Sequence, residues 1–391
     1  MQCGTKSIKS KTMNNKNYKI CLKCIMDTSD PKISFDSSGI CDHCLSFQKN
    51  VLTTWRPNAK GAATLTNLVS LIKAEGRGKP FNCIMGLSGG ADSSYMLHLV
   101  VSEFGLRPLV FHVDGGWNTD AAVYNIQVMI DKLGLELFTE VINWEEMRDL
   151  QLAFFKSGVP HLDLPQDHAN VSTLYHFANK YNIKYIFNGG NYSTECVRNP
   201  LDWIYYGTDM AQIHHIHKLF GTVPLKTFPF SSILFHKLYL RYFRGVRVVK
   251  PLNLLPYIKL EATNLLSEKY NWKPFPKKHF ESRFTRFYES YWLPTRFGFD
   301  TRRVQYSSLI LTGQMTREQA LDLLKVPSYD LDSIGEDFAY VATKLGITEA
   351  ELRHYHEMPI KSYLDYKNNS RLFNIGAKVL QTLRLEGSTK R

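Results

Sequence analysis

Two groups of residues in this chain have the types and spacing to do chemistry. The first is Ser88-Gly89-Gly90-Ala91-Asp92-Ser93-Ser94. Consecutive glycines remove the side chains that would keep a phosphate from backbone amides, and the serine hydroxyls add donors. Asp92 falls where a first helical turn would begin; a carboxylate there caps the helix and can hold Mg²⁺ against phosphates. The loop is neither G-x-x-x-x-G-K-S/T nor G-x-G-x-x-G, so it is not a Walker loop and not a dinucleotide fingerprint. The second group is Cys21-Leu-Lys-Cys24 and Cys41-Asp-His-Cys44, with sixteen residues between the pairs. Two tight turns that each offer two thiolates complete a tetrahedron, the arrangement of a structural zinc ribbon. Disulfides would need an oxidising compartment, which leaves an iron–sulfur cluster as the main alternative. With all four positions filled by protein, the metal is structural rather than catalytic.

These groups need elements to position them. Lys32–Phe35 alternates like a strand and Asp36-Ser37-Ser38-Gly39 reads as a turn, as a ribbon requires. A polar linker follows near 55–64 and a helix at 65–74. Strands are expected at Phe81–Leu87, Pro108–Val113, Leu137–Ile142 and Ile183–Asn188. Helices alternate with them at Asp92–Phe104, around Asp120–Leu133, near 144–156 and near 168–181. Alternation of this kind implies right-handed crossovers and a parallel sheet with helices on both faces. Ligands bind such sheets at the carboxyl ends of strands. The glycine loop lies there, as do His112-Val113-Asp114-Gly115-Gly116 and Asn188-Gly189-Gly190-Asn191.

Composition sets the outer bounds. The 391 residues carry 48 Lys+Arg and 36 Asp+Glu, a net charge of +12, with 44% hydrophobic and 21% charged residues. That excludes a largely disordered or fibrous chain. No apolar run approaches the ~20 residues of a membrane helix, and no secretory signal opens the chain, so a cytoplasmic location is expected. Residues 1–19 read as a basic tail. No acidic residue lies between Asp209 and Glu261, where Lys218, Lys226, Lys237, Arg241, Arg244, Arg247, Lys250 and Lys259 alternate with aromatic and aliphatic residues. Such a stretch suits an anionic substrate, nucleic acid, a partner protein or an anionic membrane surface. It can equally be a partly buried helical region whose cations reach water. His214, His215 and His217 do not share one helix face and read as structural. Cys83 reads as core and Cys3 as incidental, while Cys196, after a glycine turn, could be functional.

The loop resembles the S-G-G-x-D-S signature of the PP-loop ATP pyrophosphatases. That resemblance implies a HUP-type α/β sheet that binds ATP, exposes its α-phosphate and releases pyrophosphate. A closer resemblance spans roughly residues 20 to 325. The ribbon with Cys24-Ile-Met-Asp-Thr-Ser-Asp-Pro, the loop, and Gly190-Asn-Tyr-Ser-Thr-Glu195 are similar to the N-acetyl sugar amidotransferases of bacterial surface-polysaccharide synthesis. So are Lys278-His279-Phe-Glu281-Ser282-Arg283-Phe-Thr285-Arg286-Phe-Tyr288, Leu293-Pro294, Phe297-Gly298 and Gly313-Gln-Met-Thr-Arg-Glu-Gln-Ala320. It implies ATP-dependent conversion of an acetamido group on a nucleotide-linked sugar to an acetamidino group through an O-adenylyl intermediate.

On this resemblance Ser88, Gly89, Gly90, Asp92 and Ser93 hold pyrophosphate and Mg²⁺, while Asp114 and Gly190 lie near the nucleotide. His279, Glu281, Arg283 and Arg286 meet the acceptor sugar or the transition-state charge, unless they form a solvated helix face. Glu195 either ligates Mg²⁺ or caps a helix. No cysteine here suits a glutaminase, so ammonia would come from a separate subunit. The expected organisation is a zinc ribbon over 20–50, a PP-loop domain over 65–255 and a mostly helical substrate or partner region over 256–391. Rival functions are tRNA thiolation, which would use Cys196, and a zinc-ribbon scaffold for surface-sugar enzymes. The acid-free stretch favours a sugar nucleotide, a partner subunit or peripheral membrane contact over nucleic acid.

Overall fold

A computed structural model describes residues 18–330 and 332–382; the basic tail, apart from residues 18 and 19, lies outside them. Five strands form one parallel sheet: β1 (Cys83–Gly86), β2 (Pro108–Asp114), β3 (Leu137–Val141), β4 (Tyr185–Phe187) and β5 (Arg247–Val249), in the order β3-β2-β1-β4-β5. Central β1 pairs Ile84 with both Leu109 and Ile186. Side-chain alternation splits the strands between two cores. Cys83, Met85, Val110, Phe187 and Val249 face one layer, while Ile84, Leu109, Phe111 and Ile186 face the other. Both sides are therefore apolar, which is why the central strands are short continuous hydrophobic runs.

The first layer is built by α1 (Ala59–Glu75), α2 (Ala91–His98), α3 (Asp120–Leu133) and, much later in the chain, α8 (Lys259–Tyr270). The second is built by α5 (Leu164–Lys180) and the π-helical α7 (Phe235–Phe243). Between these in sequence lie α4 (Trp144–Ser157) and α6 (Met210–Phe220). The doubly covered parallel sheet is thus as expected. A separate large aromatic core joins α4 to the C-terminal helices α9 (Arg283–Phe287, continuing as π turns to Phe297) and α12 (Ile334–Leu345), through Phe154, Phe155, Phe284, Phe287, Trp292 and Phe338. Two more helices, α10 (Arg302–Leu311) and α11 (Arg317–Leu324), lie between them.

Two local expectations are corrected. The 55–64 segment is only half linker: Asn58 accepts hydrogen bonds from Lys60 and Gly61 amides and starts α1 at Ala59. The ribbon forms no extended strand over Lys32–Phe35, only isolated bridges pairing Ile20 with Asp27 and Phe35 with Cys41. The reason lies in the carboxylates. Asp30 accepts from the Lys32 amide, and Asp36 from the Ser38 and Ile40 amides, diverting donors that a ladder would use.

Candidate active site

The glycine loop lies at the carboxyl end of β1, and Gly90 stands just ahead of α2. Gly89 has φ +81°, and a Cβ there would lie 2.6 Å from the Ala122 carbonyl, so close packing against α3 requires glycine. The Gly89 carbonyl accepts from Trp272 Nε1 (3.0 Å) and Asn125 Nδ2 (3.2 Å), which clamp the loop from below. Ser88 and Ser93 hydroxyls lie 3.1 Å apart, and Ser93 donates to the Gly90 carbonyl. Asp92 does not cap its helix: its carboxylate accepts from the Tyr257 hydroxyl. Burial, then the Asp92 charge, holds that hydroxyl firmly protonated.

The second glycine turn comes close to the first, with a Cβ at Gly189 placed 3.4 Å from the Asp92 backbone. Beside it Glu195 pairs with Lys278, and its carboxylate also meets the backbone of Asn191, the residue that starts the short helix Tyr192–Glu195. Burial alone would lower the Lys278 pKa, but Glu195, Asp92 and further carboxylates outweigh it and hold the ammonium above its ordinary value. Lys259 nearby is lowered, chiefly by burial.

A segment remote in sequence closes the site. The Thr119 amide and hydroxyl both donate to the Glu281 carbonyl, and the Arg283 amide donates to Trp117, stitching residues 281–283 to the turn after β2. This brings the Glu281 carboxylate against Gly90, at 2.9 Å from where a Cβ would stand. His279 takes φ +64°, a strained value for a non-glycine residue, and lies 2.9 Å from Glu289. Burial opposes its charge, yet Glu289 prevails and its pKa is raised to about 9.

Three adjoining cavities share His279. One of about 200 Å³ is lined by the loop, Asp92, Gly190, Glu195, Glu281 and the lysines 259, 277 and 278. One of about 540 Å³ runs from Ser88 past His112, Asn118 and Gly189 to His161, Asp163, Thr285 and Glu289. The third, about 490 Å³, holds Glu195, Arg198, Asn199, Lys250, Lys278 and Glu289. In the largest, His161 Nδ1, Asp163 Oδ1 and Asn199 Oδ1 are buried without hydrogen-bond partners. Such atoms carry a cost that a polar ligand relieves. Burial, reinforced by Asp167, raises the Asp163 carboxyl to about 8, while its other oxygen accepts from Thr285 at 2.6 Å.

Several expected residues are placed elsewhere. Arg283 and Arg286 turn away from the loop and share the buried Asp337 of α12, with Arg283 also stacked 3.8 Å over Tyr340. They bind two helices together rather than face an acceptor. Asp114 spends Oδ1 on the Gly116 amide and Asn118, and it is Asn118 and His112 that reach the cavity. Because a carbonyl only accepts, His112 Nδ1–H donates to Leu87 and its Nε2 accepts from Asn118. Cys196 points to the Ser308 carbonyl and lines none of the three cavities, and burial pushes its thiol up to about 12. The His214 ring packs at a tilt against Phe230 and His217 binds the Val223 carbonyl. Spacing alone could not reveal Tyr257, Trp272 or Asp163, because each meets its partner across a long separation, 165, 183 and 122 positions respectively.

The four ribbon cysteines are buried, with sulfur atoms within 4.8 Å of one another and neighbouring pairs at 3.6–3.8 Å. Ligands about 2.3 Å from a tetrahedral zinc stand about 3.8 Å apart, so the set fits a single zinc ion. A cluster with its own sulfides would spread the thiolates farther. Amides of Lys23, Met26 and Cys41 point at Cys21 or Cys24 sulfur, as suits thiolates. Met26, Val197, Trp203 and Val304 pack around the site, and Val197 and Val304 also wall the third cavity. The ribbon is a support for that wall.

No curated protein matches the chain. Among solved structures it is similar to NMN synthetase from Francisella tularensis, at 14% identity over 77% of this chain and 97% of that one, TM-score 0.32. The U34-tRNA thiolase NcsA from Methanococcus maripaludis, with its 4Fe-4S cluster, gives 14% over 75% and 80%, TM-score 0.32. The NH3-dependent NAD synthetase from Campylobacter jejuni gives 15% over 55% and 97%, TM-score 0.28. At these values the likeness fixes neither substrate nor reaction. Residues 281–380 match the model of the LPS biosynthesis protein WbpG-like, C-terminal domain. Over residues 281–380, then, the chain is similar to the C-terminal domain of WbpG-like LPS biosynthesis proteins, and this segment supplies Glu281, Thr285 and Glu289 to the cavities.

Proposed function

We propose that this protein is an ATP-dependent amidotransferase that converts an acetamido group on a nucleotide-linked sugar into an acetamidino group. The observation that carries the reading is the junction at His279. There a phosphate-type loop at the end of a central parallel strand meets a polar cavity walled by a WbpG-like domain.

An amide carbonyl resists ammonia because oxide is a poor leaving group. Transfer of AMP to the carbonyl oxygen gives an O-adenylyl imidate, from which AMP departs once ammonia adds. ATP supplies the activated phosphorus, and the chain's residues position and neutralise. Amides and hydroxyls at Ser88–Ser93 would hold the phosphates, with Lys259, Lys277 and Lys278 around the small cavity to balance the charge of pyrophosphate. Asp92 and Glu195 offer the oxygen donors that Mg²⁺ takes. Protonated His279, which lines all three cavities, would meet the charge that develops on the bridging oxygen. Asp163, protonated near neutral pH, offers a donor to the acceptor, and His161 and Asn199 offer unspent hydrogen-bonding atoms. Lys250 and Arg198 line the third cavity, where an anionic nucleotide carrier would lie. Among the described residues no cysteine lines any of the three cavities, which weighs against thiolation; on the amidation reading a separate glutaminase would deliver the ammonia.

The test is direct incubation with Mg-ATP, ammonium salt and diacetamido nucleotide sugars. The reading requires AMP, pyrophosphate and a product lighter by the difference between O and NH. Absence of that product at saturating ammonia across such sugars refutes it.

A further inference from the structure

The outer face of α7 is built the wrong way round for a helix in water. Its π-helical closure places residues four and five apart on one side. His236 and Leu240 point into the protein and are buried. The opposite side carries Leu234, Leu238, Tyr239, Tyr242 and Phe243, all exposed, with Phe243 at 81% and the others between 43% and 61%. Phe235, Tyr239 and Phe243 stack in a column at 5.6 and 6.3 Å, so the ridge is stiff. Exposed Val248 of β5 follows shortly after in the chain. Lys237, Arg241, Arg244 and Arg247 accompany these apolar side chains, and no acid occurs anywhere between Asp209 and Glu261.

We propose that this ridge docks the protein on the surface of an anionic lipid bilayer. Apolar side chains on an outward helix face, with cations beside them, are what an interfacial helix presents to acyl chains and phosphates. The tyrosine hydroxyls suit the headgroup level. Complementarity of charge singles out this occupant: the segment that carries the ridge brings Lys237, Arg241, Arg244 and Arg247 and no acid of its own, which favours an anionic surface over a second copy of the same segment. The inference stands apart from the proposed reaction and can hold if that reaction fails.

The test uses the full chain in vesicle flotation, comparing phosphatidylcholine vesicles with vesicles in which about a third of the lipid is phosphatidylglycerol. Binding to the anionic vesicles is expected, falling with added salt and at least about tenfold weaker on neutral ones. Leu238→Ser with Phe243→Ser should weaken it by at least about tenfold, and Lys237→Gln by about fivefold. Both variants alter exposed side chains, and their melting temperatures should match the parent's. No flotation, equal binding to both vesicles, or parental binding by the double serine variant overturns the proposal. So does a stable dimer or hetero-complex that Phe243→Ser dissolves while vesicles remain unbound.

Discussion

Gly89 and Gly78 have nearly the same backbone, φ +81° and +75°, and opposite surroundings. Alanine at either must adopt the left-handed region, at a cost of about 1–2 kcal/mol. At Gly78 nothing lies within 4 Å of the added Cβ, so the conformational cost is the whole effect. At Gly89 the Cβ would stand 2.6 Å from the Ala122 carbonyl oxygen and 3.1 Å from its Cα, both backbone atoms of α3. The loop must therefore withdraw by roughly half an ångström, adding about 1–3 kcal/mol of overpacking. Withdrawal also strains the clamp of Trp272 and Asn125 on the Gly89 carbonyl. Urea denaturation should show Gly89→Ala destabilised by about 3 kcal/mol and Gly78→Ala by about 1 kcal/mol. Calorimetric titration with a non-hydrolysable ATP analogue should show affinity at least about tenfold weaker for Gly89→Ala only, because the amides proposed to meet the phosphates would have moved. Equal destabilisation of the two variants would refute the packing argument. Parental nucleotide affinity in Gly89→Ala would refute the role of the loop.

Four further outcomes are expected. The purified chain should carry about one zinc per molecule by metal analysis, and Cys24→Ser should lose both the metal and several degrees of melting temperature. Arg286→Met should cost about 2–3 kcal/mol by leaving buried Asp337 half paired, with no change in KM for the sugar nucleotide; a raised KM would return Arg286 to the acceptor site. Cys196→Ala should keep full ATP turnover, since its thiol faces Ser308. His279 gains its proton partner on folding, so its contribution is complete below about pH 6.5 and fades as pH rises through about 9. The stability difference between parent and His279→Gln should shrink across that window, and a constant difference would contradict the pairing with Glu289.

How legible the site was depends on whether its parts are local. Buried parallel strands are short apolar runs, so β1, β2 and β4 and the loop between β1 and α2 could be read in order. Paired cysteines carry their own spacing. Where partners are far apart the reading failed. Nothing near Arg283 and Arg286 announces Asp337, more than fifty residues on, and a charged cluster without its partner reads as substrate-binding. Tyr257 reaches Asp92 across 165 positions, and Trp272 reaches Gly89 across 183. The ribbon misled for the opposite reason, since its alternation is local while the carboxylates that cancel the strand are local too and easily overlooked.

The ribbon's mooring bears on how the molecule is made. Cys21 and Cys24 lie near the start of the chain, yet their carbonyls are grasped by Arg317, the Ile25 amide by Ser307, and the Ile25 carbonyl by Arg303. A ribosome adding about 5–20 residues per second needs roughly 15–60 s to travel from one to the other. Through that interval four thiolates have no protein surface to rest on, and the metal alone can keep them in register. A zinc ion taken up there would act first as a timekeeper for synthesis, holding a finished corner of the molecule until the wall it supports has emerged.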